Sequence, residues 1–411
     1  MQFQRTLVTA AVLAATSLSL HANAAGSGLL NDDSLTASFR TFYFNRDKDS
    51  ANADSEALSQ ALRLDYQSGY VNNLIGFDAS LFTVGKLFGD KGKGGTGLLQ
   101  SEDDGSQGSY TKFGQALVKL KLGQNAELRA GRMVLGTPLF NDSDSRATPS
   151  ATQAVMAFGN FNGVDLYGIW SDKGTSKTED DFKSYTDNTG NDYEVAVIGG
   201  GYRFANGLGV QLAHGEADNV LRQTYVNASY PVKLANDMAL LLDLHHYHGE
   251  ADGAGALDTV GADYESDLTN IAAQLKIDNA KLTLSYQTVN GDAYEESWDG
   301  FNHDDNSLNT WNSVQRLDFD RAEENSWQAR VDYDFKAVPG LALMTRYTRG
   351  DNIDTGGSSE GQEWERNVEL KYSFQSIEGL SLRWRNAHVH SSETYNSDEN
   401  RLILNYTIAV L

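Results

Sequence analysis

The chain contains no cysteine, which removes disulfide frameworks, cysteine-ligated metal sites and thiol catalysis together. It is also short of cations: Lys plus Arg number 33 against 56 Asp plus Glu, a net charge of −23. Nucleic-acid binding needs a basic footprint to displace counterions, so no nucleic-acid partner is expected. Long apolar runs are missing too. Mean hydropathy is negative, and past the N-terminus nothing approaches the ~18 apolar residues of a membrane helix.

What is present begins at the N-terminus. Met1 to Arg5 carries one positive charge, Leu7 to Leu20 is mostly apolar, and Ala22-Asn23-Ala24 is a small-x-small cleavage site. Residues 1–24 therefore read as a secretory signal peptide of a Gram-negative cell, with the mature chain starting at Ala25. Residues 25–411 read as a single domain.

That domain is dominated by period two. Leu282, Leu284 and Tyr286 alternate with Lys281, Thr283, Ser285 and Gln287, and Trp327, Ala329, Val331, Tyr333 and Phe335 alternate with Gln328, Arg330, Asp332 and Asp334. This is strand patterning. Segments of this kind can be drawn about eighteen times, from 35–45 to 400–410. The connections sort by parity: short after even strands, as at Gly123-Gln124-Asn125 and Asp278-Asn279-Ala280, and mostly long after odd ones, as at 84–109, 134–151 and 290–325. An even number of alternating strands with short turns at one end and long loops at the other predicts an all-β fold, a transmembrane antiparallel barrel of the outer membrane. A sandwich has no reason to sort its loops by parity, and a propeller or solenoid would show a motif per repeat. Aromatics near the strand ends, Tyr43, Phe82, Tyr110, Trp170, Tyr247, Trp327, Trp364 and Tyr372, are expected to form the interfacial girdles.

Several segments resemble one family, the OprD outer-membrane porins: Arg40-Thr41-Phe42-Tyr43-Phe44-Asn45-Arg46-Asp47, Leu64-Asp65-Tyr66-Gln67-Ser68-Gly69, Gly95-Thr96-Gly97-Leu98-Leu99, Ser143-Asp144-Ser145-Arg146, Arg330-Val331-Asp332-Tyr333-Asp334-Phe335 and Arg346-Tyr347-Thr348-Arg349-Gly350. The resemblance implies an eighteen-stranded barrel, in agreement with the strand count. It implies a passive channel for a small-molecule solute rather than an enzyme, with no cofactor. Barrels of this kind usually finish on an aromatic residue read by the barrel assembly machinery, whereas this chain finishes Ala409-Val410-Leu411.

Alternation places candidate solute-binding side chains in the lumen. If Leu380, Leu382 and Trp384 face lipid, Arg383 and Arg385 face inward, about 7 Å apart. The same logic turns Arg330, Arg346, Arg63 and Arg129 inward. The resemblance implies an arginine ladder that passes carboxylates such as aromatic acids or amino acids, since a planar fork suits a carboxylate and repeated weak sites let it leave. The alternative is that these arginines pair with Asp332, Asp334, Asp65 or Glu369 in a wet lumen. The resemblance also implies that the connection near 134–151 folds inward as a constriction loop, with Asp144, Ser145 and Arg146 shaping it.

Residues 290–325 hold ten Asp or Glu and only two Arg, which suggests a solvated mouth loop meeting cations, lipopolysaccharide or outer-membrane lipid. His246-x-His248 and His388-x-His390 each align two imidazoles on one strand face, too few ligands for a metal site. A chitoporin-like channel for short oligosaccharides, a barrel hydrolase and a surface anchor are the competing functions. The hydrolase lacks a Gly-x-Ser-x-Gly motif. Monomer and weak homotrimer both stay open.

Overall fold

The computed structural model describes residues 32–50, 53–234, 238–298 and 308–411; the expected signal peptide lies outside them. Among the described residues eighteen long strands form the structure. The first nine are β1 (Ser34–Asp49), β2 (Ser55–Gln67), β3 (Ile75–Phe88), β4 (Tyr110–Lys121), β5 (Ala126–Met133), β6 (Ala151–Phe161), β7 (Val164–Thr175), β8 (Val195–Arg203) and β9 (Gly209–Ala217). The rest are β10 (Leu221–Lys233), β11 (Ala239–Ala251), β12 (Glu265–Ile277), β13 (Ala280–Gly291), β14 (Asn325–Asp334), β15 (Leu341–Ile353), β16 (Gly361–Ser373), β17 (Leu380–Ser391) and β18 (Asn396–Ala409). Each pairs antiparallel with its neighbour in sequence. β1 pairs with β18 from Thr36↔Ala409 to Asp49↔Asn396, which closes the ring.

Alternation decides which face each side chain takes. On β18 Leu402 and Leu404 are exposed on the outside, while Arg401 and Ile403 are buried inside. Ile198, Leu212, Leu282 and Leu284 lie in the same outward band. The short turns follow local chemistry. Asn162 and Gly163 both adopt left-handed φ, 55° and 87°, the two-residue hairpin that Asn-Gly favours between twisted strands.

Two aromatic belts bound the apolar band. At the long-loop end Trp327, Tyr347, Trp364 and His388 contact one another in sequence at 5.5, 5.8 and 5.2 Å. At the short-turn end three Tyr-x-Phe pairs meet edge to face: Tyr202–Phe204, Tyr333–Phe335 and Tyr372–Phe374, at 4.8, 4.9 and 4.8 Å. Trp364 and Tyr372 lie on the same strand, about 27 Å apart along it, or roughly 20 Å along the membrane normal at the usual tilt. Not every aromatic expected in the girdles belongs there. Phe82, Tyr110 and Tyr247 face inward and are buried: inward loops offer Tyr110 and Tyr247 apolar partners, and Phe82 packs over Gly114 beneath Arg63.

Strands also run further at the long-loop end than the pattern suggested: β1 reaches Asp49, β15 reaches Ile353 and β18 starts at Asn396. Above the apolar band the outer face no longer needs hydrophobic residues, so alternation fades while the ladder continues. The paired histidines sit on this outer rim. Each is held across strands, His248 Nδ1 by Asp267 at 3.0 Å and His388 Nδ1 by Asp398 at 2.6 Å; these carboxylates are set by register, not by spacing along one strand.

Replacing Leu284, which is 66% exposed on the band, by Arg is expected to cost about 2–4 kcal/mol of folding free energy in lipid. Urea titration of vesicle-reconstituted protein checks this; an unchanged midpoint would mean that this face is not in the bilayer.

Candidate functional site

The inner wall of β12–β18 concentrates cations. A cavity of about 600 Å³ at the short-turn end is lined by Lys276, Lys281, Arg330, Arg346, Lys371, Arg383 and Arg385, together with Asp332, Asp334 and Glu369. Several of these cations are direct cross-strand neighbours, Lys276↔Lys281, Arg330↔Arg346 and Lys371↔Arg383, and Arg385 opposes a further arginine, Arg401 of β18. Opposed Cβ atoms in an antiparallel ladder are about 5 Å apart, and like charges there are destabilising. The wall therefore carries a repulsion that folding alone would not select.

Carboxylates offset only part of it. Arg330 pairs with Asp332 at 2.7 Å. Arg383 and Arg385 share Glu369, at 2.6 and 3.2 Å. Arg46 and Arg401 share the buried Glu399, at 2.7 and 2.5 Å. Arg346 makes no ion pair among the described residues; it donates to Asn367 Oδ1 at 2.7 Å and to Ser313 O at 3.5 Å. Arg385 donates no hydrogen bond to the described residues, because its contact with Glu369 is close but poorly aligned.

A second cavity, about 250 Å³, lies above the first and is lined by Arg46, Arg146, Lys177, Arg316, Arg385 and Arg401 with Glu296 and Asp318. Arg385 lines both cavities and so stands where they meet. Arg63 and Arg129 are not among the described residues lining either one. Arg63 pairs with Asp65 at 2.7 Å and lies over Phe82. Arg129 pairs with Glu127 at 2.6 Å and lies over Phe158. Each is satisfied on its own strand.

The segment between β5 and β6 packs against β1 and the 89–109 loop. Asp144 pairs with Arg40 at 2.8 Å. Arg146 donates to Thr96 O at 2.9 Å and lies over Phe44. Ser145 Oγ accepts from Ser143 and Arg146, both at 3.1 Å. Leu135, Leu139 and Phe140 are buried, with Trp298 Nε1 donating to Leu139 O at 2.5 Å. Trp298 in turn lies on Gly215, where a Cβ would come within 2.7 Å of the indole.

Trp298 belongs to the acidic loop after β13, and this loop is not a solvated mouth loop over its described part. Asn312 is fully buried and bonded to Asn270, Ser285 and Ser326. The Glu365 carboxylate accepts the backbone N–H groups of Gln315, Arg316 and Leu317 at 3.2, 3.2 and 2.9 Å. The signal was in the sequence: Trp298, Leu308, Trp311, Leu317 and Phe319 are apolar residues that a fully hydrated loop has no use for. Arg401 was equally legible, since the alternation that exposes Leu402 turns it inward. Arg46, Arg316, Lys276, Lys281 and Lys371 become site residues only through cross-strand register and loop packing.

Two carboxyl groups are held in their neutral form under this loop. Enclosure, then the neighbouring Asp318 and Glu363, raises Asp320 to about 8; enclosure, then Glu363, raises Glu324 to about 9. Glu363 holds Arg321 at 3.0 Å.

A closed barrel whose lumen is lined with charge and has loops packed against its inner wall defines a channel across the outer membrane. Residues 27–410 match the family described as "outer membrane porin, OprD family". Porin D of Pseudomonas aeruginosa is 31% identical over 423 aligned residues, covering 94% of this chain and 93% of that protein. Porin-like protein GalP of Pseudomonas putida is 28% identical over 99% of both. Among solved structures, Pseudomonas aeruginosa OpdK with vanillate superposes with a TM-score of 0.83 at 27% identity, covering 93% of this chain and all of that one. The chain belongs to the OprD family of outer-membrane porins: it is a substrate-specific channel, not an enzyme.

Two outcomes follow from the loop packing. Gly215→Leu is expected to dislodge Trp298 at a cost of about 1–3 kcal/mol and to raise single-channel conductance; identical conductance would place the loop outside the current path. Asp320 and Glu324 bind protons in the packed loop that they would release once hydrated. Packing therefore weakens as pH rises from about 4 towards about 8–9. Current fluctuations should grow between neutral and alkaline pH and flatten in Glu324→Gln, as read in planar bilayers.

Proposed function

We propose that the channel passes small carboxylates along an arginine ladder made of Arg401, Arg385, Arg383, Arg330 and Arg346. The observation that carries this reading is the set of like-charged cross-strand neighbours on one wall. Their mutual repulsion makes an entering anion favourable at each rung, and no rung is deep enough to trap it. Arg385, which lines both cavities and donates no hydrogen bond to the described residues, is the rung between them. Asp144, Ser145 and Arg146 help shape the passage from the β5–β6 segment. Vanillate, the molecule named with the OpdK structure, is a carboxylate, which supports the same class. In this reading residues 1–24 direct export and residues 25–411 form one barrel domain. The excess of acid elsewhere in the chain does not oppose an anion path, because selection is local to the wall within about a Debye length.

Arg385→Gln is expected to reduce anion over cation preference and to weaken benzoate block about tenfold, the worth of one charged hydrogen bond. Arg63→Gln and Arg129→Gln should leave both unchanged. Reversal potentials and single-channel block by benzoate measure this; equal benzoate affinity in wild type and Arg385→Gln would overturn the ladder.

A further inference from the structure

Beside the ladder, a third cavity of about 410 Å³ shares Arg330 and Arg346 with the first. Its size is that of a small-molecule site, yet apart from Trp311, the buried Tyr225, Asp243 and the two arginines its lining is amide, hydroxyl and imidazole. From β9 and β10 come Gln211 and Ser229, neither of which makes a side-chain hydrogen bond to the described residues. Asn227 donates to Asp243 and to Leu244 O, at 3.0 and 2.8 Å, which leaves its carbonyl oxygen as an acceptor. The folded-in loop adds Asn309, Thr310 and the Trp311 ring.

The acid in this cavity is already engaged. Asp243 accepts from His245 Nε2 at 2.9 Å, Trp311 Nε1 at 2.9 Å and Asn227 Nδ2 at 3.0 Å, three of the roughly four acceptor positions a carboxylate has. Tyr225 O–H and His245 Nδ1 are bonded at 2.8 Å, so the imidazole is engaged at both nitrogens. An ammonium group would find only one acceptor position left on the carboxylate here. The two arginines are only partly used. Arg330 commits Nε and Nη2 to Asp332, leaving Nη1, and Arg346 commits Nε and Nη1 to Asn367 and Ser313, leaving Nη2.

We infer that this cavity selects, among carboxylates, those carrying several hydroxyl groups, of the sugar-acid kind, with the carboxylate on Arg330 and Arg346 and the hydroxyls on Gln211, Ser229 and Asn227. This rests on the carboxylate reading above and narrows it. Hydroxyls are both donors and acceptors, so they match an amide, a hydroxyl and a lone carbonyl together. A bare aromatic ring would strip water from those groups and return nothing, and sites built to hydrogen-bond a hydroxyl discriminate against solutes without one. Trp311, its N–H fixed on Asp243, supplies an apolar surface beside them.

The test is single-channel block of the full barrel in planar bilayers by three probes: gluconate, with carboxylate and hydroxyls; benzoate, with carboxylate alone; and glucose, with hydroxyls alone. Gluconate is expected to block at least about tenfold more tightly than either of the others. The double variant Gln211→Leu, Ser229→Ala should weaken gluconate about three- to tenfold, the range of one or two neutral hydrogen bonds, and leave benzoate unchanged. Benzoate as tight as gluconate in wild type would overturn the inference while sparing the ladder, and that comparison needs no variant to fold. Block by glucose alone would overturn both. A double variant that keeps its gluconate block, with heat-modifiable mobility showing a folded barrel, would also overturn the inference.

Discussion

Every other feature of this protein depends on one constraint, that backbone N–H and C=O groups cannot go unpaired in hydrocarbon. A chain without a long apolar helix can meet it only by closing a sheet, and the β1–β18 pairing is the bond that removes the last two edges. Closure separates outside from inside once and for all. From then on each strand can be apolar at every second residue and charged in between, which is why a chain of negative mean hydropathy is at home in a membrane.

Closure also makes the interior a place where charge can be arranged against the interest of folding. Cations face cations directly across four strand pairs on one wall, and shared carboxylates such as Glu369 and Glu399 neutralise them incompletely. The stability lost there is recovered elsewhere, in the aromatic belts and in the apolar plug where Leu139, Phe140 and Trp298 meet over Gly215. The plug and the charged wall are complementary in packing: one is apolar and buried, and the other keeps its cations facing the lumen.

Much of this was legible from residues alone. Strand number, loop parity, the inward direction of Arg330, Arg346, Arg383 and Arg385 and the family resemblance all rest on alternation or on local motifs. Arg63 and Arg129 show the limit of the method. They face inward as expected, but pair with Asp65 and Glu127 two residues away, and inward direction alone does not bring them to the cavities. The acidic loop shows the opposite limit. Its composition argued for solvent, yet Glu365 and Asn270 hold its backbone and Asn312 inside the barrel, because buried carboxylates and amides can satisfy a loop as well as water does.

The amino-acid sequence by itself determined the kind of object this is: period two, turn chemistry and the sorting of loop lengths are short-range properties, and an outer-membrane barrel is their direct consequence. Which cations become neighbours was decided only by tertiary structure. Arg385 and Arg401, or Lys276 and Lys281, oppose one another through strand register. Arg46 and Arg316, far apart in the chain, reach the same cavity through closure and an inward loop. The meeting of Arg46 with Glu399 and Arg401 depends on the ring being shut, and no stretch of sequence read alone contains that fact.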